Sequence, residues 1–163
     1  KYIDIYTRPN KQHLAQSFAQ KMYSIQKRVD TVMISGNDMM QASMSGPDHC
    51  AIIISYSGET THILHLAKKL KSKHTPIIAI TSISKSTLVN LSDVSLRISS
   101  REMLNTKIGD FASTESTTCI LDILYSCYFS LNYKENLNYK LSIAGEIDDQ
   151  YSEYEYIDET KIK

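Results

Sequence analysis

Short runs of apolar, mostly β-branched residues alternate along this chain with segments in which apolar residues recur every three or four positions. Runs of the first kind are typical of buried strands, and spacing of the second kind is typical of helices that pack one face. The predicted strands cover residues 2–6, 29–34, 50–55, 77–80 and 94–98. Helices are predicted between the strands, including a short Met-rich one over residues 39–44, and a long helix from near Ser113 to Leu131 follows the last strand.

Strands that alternate with helices favour an α/β fold around a parallel sheet. Connections between neighbouring parallel strands are right-handed, so the helices have to cover both faces of the sheet. We therefore expect a three-layer αβα sandwich with a five-stranded parallel sheet.

The pattern weakens beyond residue 132. Residues 146–159 hold seven carboxylates and three tyrosines but no basic side chain, which is typical of a solvated tail or of an arm that docks on a partner. We therefore divide the chain into a folded domain, residues 1–132, and an acidic C-terminal helix or tail, residues 133–163. The chain begins at Lys1, without Met and directly with a strand pattern, so we expect it to be part of a longer protein.

Composition excludes some functions. The 18 basic and 18 acidic side chains give a formal net charge of zero, which argues against direct binding of nucleic acid or of an anionic membrane. No apolar run approaches the roughly 20 residues that a membrane-spanning helix needs. Three cysteines without a CxxC pair argue against a disulfide framework and a zinc site, and they fit the reducing cytoplasm.

A hydroxyl-rich loop, ISYSGETTHIL, follows the third predicted strand and leads into a helix. In open parallel sheets, ligands bind beyond the carboxyl ends of the strands, and a helix N-terminus there offers free N–H groups to an anion. Ser55, Ser57 and Thr60 add neutral donors, while Gly58 allows close backbone approach. The loop lacks the Gly-Lys-Ser/Thr of a nucleotide P-loop, so it predicts a single phosphate on a small molecule. A plain helix cap is the alternative, but a cap needs only one hydroxyl.

The run Ser55-Tyr56-Ser57-Gly58-Glu59-Thr60 resembles the S-x-S-G-E-T phosphosugar loop of the SIS (sugar isomerase) domain. The resemblance covers about residues 3–131. Within the family, the chain is similar in particular to the effector domains of RpiR-family bacterial transcription regulators. It implies a flavodoxin-like topology, a homodimer and a helix-turn-helix domain N-terminal to this chain, which would alone contact DNA. It implies no cofactor.

Carried over to this chain, the resemblance implies that Ser55, Ser57 and Thr60 hold the phosphate of a sugar phosphate. Thr81 or Ser82 would then contact phosphate or sugar hydroxyls from the next strand end, and Ser113 would complete the pocket at the last helix.

The chain departs from the family after the first strand. Where the family has a G-x-G-x-S turn, this chain has Thr7-Arg8-Pro9-Asn10-Lys11, without either glycine. Arg8 and Lys11 offer a cation to a phosphate or carboxylate, so Lys11 joins the predicted ligand contacts. The alternative is that the sugar end of the pocket has changed or decayed.

The catalytic base of related isomerases is missing. In SIS isomerases of the glucosamine-phosphate synthase type, a glutamate precedes the I-G-x-A-S-T run, and this chain has Lys107 there. A protonated lysine is not a base. Glu102, Asp110 and Glu115 are conceivable substitutes, but ordinary loop and first-turn carboxylates are favoured by the helix dipole in any case.

The histidines give little sign of a metal site. His62 and His65 share a helix face, but no carboxylate or cysteine lies at matching sequence spacing, and exposed positions explain both. His49 is expected to face solvent, and His13 lies near the altered first loop.

Binding is therefore favoured over catalysis. The leading hypothesis is a sugar-phosphate-sensing domain of a transcription regulator. A phosphosugar isomerase or amino-sugar-phosphate lyase is the second reading, and a dimerisation module with a decayed pocket is the third.

Overall fold

A computed structural model describes residues 2–33, 37–83, 85–99, 102–103 and 109–148. The strands in these ranges are β1 (Tyr2–Thr7), β2 (Val29–Met33), β3 (His49–Ile54), β4 (Ile77–Thr81) and β5 (Val94–Arg97). The helices are α1 (Gln12–Tyr23), α2 (Asp38–Met44), α3 (Thr61–Ser72), α4 (Thr87–Leu91), α5 (Phe111–Leu131) and α6 (Tyr133–Asp148). A 3₁₀ turn, Pro9–Lys11, precedes α1.

The five strands form one parallel sheet in the order β2-β1-β3-β4-β5. This confirms the predicted five-stranded parallel sheet and its flavodoxin-like topology. The strand order reverses direction between β1 and β3, so the loops that follow these two strands diverge to opposite faces and leave a crevice between them.

Apolar side chains of the sheet alternate between two cores. On one face, Ile52 and Ile54 of β3 pack with α1, whose buried residues recur at helical spacing, and with Leu121 of α5. On the other face, Ala51 and Ile53 pack with α2, α3 and α4. Both faces are covered, because a central parallel strand buries both sides of its pleat. The predicted three-layer sandwich is confirmed.

The chain continues as a helix where the apolar pattern weakens. After α5 ends at Leu131, α6 starts at Tyr133, and the side-chain amide of Asn136 donates to the carbonyl of Phe129 across the break. Most of the acidic stretch, from residue 149 on, lies outside the described residues, so the division at residue 132 stays a prediction. In the described ranges, the helices are too short or too polar to cross a bilayer.

Candidate functional site

A cavity of about 340 Å³ opens in the crevice between the loops that follow β1 and β3. The start of α5 closes its third side, and Ile98, just after β5, contributes to its apolar floor. The described lining residues are Arg8, Asn10, Lys11, Ile54, Ser55, Tyr56, Ser57, Thr60, Ile98, Asp110, Ser113 and Thr117. The cavity therefore lies at the switch point, where ligands of such sheets bind.

Three hydroxyls of the loop after β3 lie in this cavity. The Oγ of Ser55 accepts a hydrogen bond from the backbone N–H of Gly58 at 3.2 Å, and the Oγ of Ser57 accepts one from Glu59 at 3.3 Å. Both oxygens thus act as acceptors toward their own loop, and each hydroxyl keeps its proton as a donor for a ligand. These two bonds also fix the direction in which the hydroxyls point.

Thr60 occupies the N-cap position of α3 but does not cap it. Its side chain makes no hydrogen bond to the first N–H groups of the helix. Its Oγ1 instead lies 3.3 Å from Nη2 of Arg8, which donates to it. The plain-cap interpretation of the loop therefore does not account for Thr60, and the N-terminus of this twelve-residue helix adds its positive dipole end to the cavity.

Gly58 is required by packing inside the protein. Its φ is +66°, in the left-handed region, and a Cβ there would lie 2.3 Å from the Oγ and 2.7 Å from the Cβ of Ser86. Its carbonyl accepts from the N–H of Leu88 at 3.1 Å, which ties the loop to α4. The sequence predicted that glycine would admit a ligand at this point. The structure places Ser86 there, and Gly58 is not among the cavity-lining residues.

Thr81 and Ser82 bind the backbone of the loop after β3 on the side away from the cavity. The hydroxyls of Thr81 and Ser82 both donate to the carbonyl of Tyr56, at 3.0 and 2.6 Å. The backbone N–H of Ser82 donates to the same oxygen. Neither residue lines the cavity, and Thr81 is fully buried, so the structure separates this predicted pair from the other site residues.

The altered first loop brings two cations to the cavity. Arg8 is exposed at the mouth, beside Thr60. Lys11 is more enclosed, and its Nζ lies 2.5 Å from Oδ2 of Asp110 and also donates to the hydroxyl of Thr114. Arg8, which lies between the two positions where the family has glycine, and Lys11, at the position of its serine, thus line the same cavity as the phosphate-type loop.

Ser113 lies at the start of α5, as predicted. It is almost fully buried, its Oγ donates to the carbonyl of Asp110 at 3.1 Å, and its N–H donates to Oε1 of Glu102 at 2.8 Å. Glu102 therefore satisfies an N–H group of the first helical turn, which is the structural role expected of a carboxylate there. Lys107 and Ile108 lie outside the described residues.

The proposed substitutes for a catalytic base are poorly placed. Glu102 is occupied at the helix start, and neither it nor the exposed Glu115 is among the lining residues. Asp110 lines the cavity, but its Oδ2 is paired with Lys11. Within the described residues, Asp110 is thus the one carboxylate of the cavity wall, and no histidine joins it.

Two histidines are partners of buried carboxylates, which corrects the sequence-based view of them. His62 contacts Asp38, which is fully buried at the start of α2, although no carboxylate lay at matching spacing in the sequence. His49, expected to face solvent, lies 2.7 Å from the fully buried Asp4. These pairs lie away from the cavity, and the described residues contain no group of three side chains suited to a metal ion.

Among the described residues, sequence reasoning missed three polar side chains of the lining, Asn10, Tyr56 and Thr117, and two apolar ones, Ile54 and Ile98. Thr117 was detectable, because it follows Ser113 by one helical turn and donates to its carbonyl. Tyr56 belongs to the loop motif, but its position there predicts no role. Its hydroxyl donates to the carbonyl of Glu102 at 2.8 Å, a contact over 46 residues that the sequence does not reveal.

The chain is similar to known regulators. It is 36% identical over 98 residues to an uncharacterized HTH-type transcriptional regulator of Thermotoga maritima, an alignment that covers 58% of this chain and 34% of the relative. This chain therefore matches about a third of that protein's length. HTH-type regulators are the class of protein that the resemblance to RpiR-family effector domains implied.

Two solved structures share the fold. The Vibrio vulnificus NanR protein complexed with ManNAc-6P superposes with a TM-score of 0.77 at 21% identity, over 90% of this chain and 55% of that one. The sugar isomerase domain of an RpiR transcription factor from Sphaerobacter thermophilus gives 0.71 at 12% identity, over 88% and 78%.

The family follows from a match that covers most of the chain. The SIS domain family matches residues 1–126, from β1 into the last two turns of α5. This range includes every described residue of the cavity. This chain belongs to the SIS-domain family.

Proposed function

We propose that this chain is the sugar-phosphate-binding, effector-sensing part of an RpiR-like transcription regulator in the cytoplasm. Its DNA-binding helix-turn-helix domain would lie N-terminal to the SIS domain. The observation that carries the proposal is the convergence of Arg8, the hydroxyls of Ser57 and Thr60, and the N-terminus of α3 on one cavity.

This arrangement matches the chemistry of a phosphomonoester. At neutral pH such a group carries about 1.5 to 2 negative charges and three strong acceptor oxygens. The cavity offers it neutral O–H donors, a helix N-terminus and one guanidinium, which together supply directed donors and a positive field. The remaining volume, lined by Asn10, Ser113 and Thr117, is polar enough for the hydroxyls of a sugar.

The comparisons support a sensor. The relative from Thermotoga maritima is an HTH-type regulator, and the NanR structure was solved with ManNAc-6P bound. This chain spans only part of the length of both proteins, and of the two only NanR has a known ligand in its structure. We extend the class of ligand, a sugar phosphate, to this chain on the strength of its own cavity.

The positions and partners of the carboxylates argue against catalysis. An aldose–ketose isomerisation requires a base within reach of a substrate carbon. The described cavity wall offers Asp110, which Lys11 already pairs, while Glu102 serves α5. We therefore propose that the ligand is bound and released unchanged.

We further propose that two copies pair through α5. Four exposed residues at successive four-residue intervals form an apolar stripe along this helix: Cys119, Ile123, Cys127 and Leu131. Ile123 is 55% exposed and Leu131 75%. A self-complementary stripe suits a two-fold interface, in which each copy presents the same patch. Ligand binding beside the start of α5 would then bias the arrangement of the two copies, by as much as its affinity differs between the two states.

Thermal unfolding with a panel of sugar phosphates tests the proposal, with inorganic phosphate as control. A ligand at a hundredfold excess over Kd stabilises the protein by about 2.7 kcal/mol. We expect one sugar phosphate to raise the midpoint and Ser57→Ala to remove the rise. Ser72→Ala is the matched control, because Ser72 is exposed at the far end of α3.

The same panel of sugar phosphates distinguishes the sensor from a dimerisation module and from an enzyme. A panel in which no sugar phosphate raises the midpoint would overturn ligand sensing and leave dimerisation as the function. Turnover of a panel member, detected by product analysis, would replace the sensor by an isomerase or lyase.

A further inference from the structure

The ion pair between Lys11 and Asp110 joins two walls of the cavity. Nζ of Lys11 lies 2.5 Å from Oδ2 of Asp110 and also donates to the hydroxyl of Thr114. Lys11 belongs to the 3₁₀ turn after β1 and Asp110 to the start of α5, 99 residues later. The lysine side chain is 16% exposed and the aspartate side chain 46%, so the carboxylate is the more accessible partner.

The charges of the cavity are unevenly distributed. Its described lining contains Arg8, Lys11 and Asp110 as charged residues, which leaves one net positive charge. Arg8 lies at the phosphate-type loop, in contact with Thr60, and is not paired with any described carboxylate. The charge of Lys11, in contrast, is compensated by Asp110.

One net charge is suited to one phosphate. A phosphomonoester brings about 1.5 to 2 negative charges, which Arg8 and the helix dipole balance. A second phosphate or a carboxylate at the other end of the ligand would meet the half-exposed oxygen atoms of Asp110 and an ammonium already occupied. A neutral polyol or amide end would find the carboxylate of Asp110 as an acceptor and the side-chain amide of Asn10 as a donor. The hydroxyl oxygens of Ser113 and Thr117, whose protons go to backbone carbonyls, can accept there as well.

We infer that the Lys11–Asp110 pair determines the class of ligand. It admits sugar phosphates whose non-phosphate end is neutral, and it discriminates against sugar bisphosphates and phosphorylated sugar acids. This inference rests on the proposed function, since it concerns the second end of the same ligand.

Asp110→Asn tests the inference, because the variant keeps the shape of the side chain and releases the charge of Lys11. Calorimetric Kd values would be measured for matched probes: fructose 6-phosphate with fructose 1,6-bisphosphate, glucose 6-phosphate with 6-phosphogluconate, and N-acetylmannosamine 6-phosphate. The unaltered chain is expected to prefer a monophosphate with a neutral end. In the Asn variant, the affinity ratio should shift toward the doubly anionic probes by about fivefold, the scale of a partly exposed ion pair.

Asp122→Asn is the matched control. Lys21 and Asp122 form a second ion pair between α1 and α5, outside the cavity, so loss of its charge should leave the ratio unchanged. A shift in both variants, or in neither, would overturn the inference even when a monophosphate binds. A tighter complex of the unaltered chain with a doubly anionic probe would overturn it as well. Absence of binding by every probe would reject the inference together with the proposed function.

Discussion

The guanidinium of Arg8 donates to the hydroxyl of Thr60 at 3.3 Å, across 52 residues of sequence. This contact joins the exit of β1 to the N-cap position of α3. The two glycines of the family's turn are absent here, and Arg8, which lies between their positions, lines the cavity. Arg8 therefore supplies a cation beside the phosphate-type loop, which favours compensation for the missing glycines over a decayed pocket.

Arg8→Ala should weaken phosphate-ester binding. A hydrogen bond from a charged donor contributes about 1.5 to 3 kcal/mol when shielded, and Arg8 is exposed, so we expect about a tenfold rise in Kd. The loss should be larger at low ionic strength, since salt screens the exposed charge. Calorimetric titration of the best-binding sugar phosphate at two salt concentrations measures both effects.

Arg28→Ala provides the control for the loss of one positive charge. Arg28 is exposed and directly precedes β2. Its Nε lies 3.1 Å from Oδ1 of Asp30, outside the cavity. Its variant should bind as the unaltered chain does. Equal weakening by both variants would show a general charge effect and would remove Arg8 from the site.

Gly58→Ala should destabilise the domain. The left-handed φ strains any L side chain, and the Cβ of Ser86, 2.7 Å from the new methyl group, moves only with its backbone. Strain and overpacking together predict a loss of about 2 to 4 kcal/mol in the free energy of unfolding, measured by urea titration.

Gly145→Ala should instead raise the free energy of unfolding. Nothing lies within 4 Å of its added Cβ, and it lies inside α6, where alanine is favoured over glycine by about 0.5 to 1 kcal/mol. An unchanged unfolding free energy in Gly58→Ala would contradict the packing role that we assign to that glycine.

The sheet was predictable because its inner strands are buried on both faces, which leaves uninterrupted apolar runs such as the one through Ile52 and Ile53 of β3. The loop after β3 was predictable because its signal is local. Ser55, Ser57 and Thr60 lie within six residues at a strand-to-helix junction, and all three line the cavity. Their contact with a ligand stays a prediction.

The remaining features depend on distant contacts. The resemblance implied that Thr81 or Ser82 would contact the ligand, but both hydroxyls donate to the carbonyl of Tyr56. Whether such a hydroxyl faces the cavity or the loop depends on packing that sequence spacing does not encode. The pairing of Lys11 with Asp110 spans 99 residues and was equally inaccessible.

His62→Ala should destabilise the domain without affecting binding. Asp38 is fully buried, and removal of the imidazole takes one hydrogen-bond partner from its carboxylate, at a cost of about 1 to 2 kcal/mol in unfolding free energy. His65→Ala, an exposed position on the same helix, should change stability by less than about 0.5 kcal/mol. Equal unfolding midpoints in urea for the two variants would argue that the contact with Asp38 contributes nothing.

Ile123→Glu should convert the proposed dimer into a monomer. In a two-fold interface along α5, each copy would place its new carboxylate in the apolar stripe of the other, where an unpaired charge is costly to bury. Light scattering after size exclusion at micromolar concentration should give twice the chain mass for the unaltered protein and the chain mass for the variant. Met40→Glu is the control, because Met40 is 67% exposed on α2, away from the stripe, so this variant should stay dimeric. A dimer that survives Ile123→Glu would place the interface elsewhere, and a monomeric unaltered chain would reject pairing through α5 altogether.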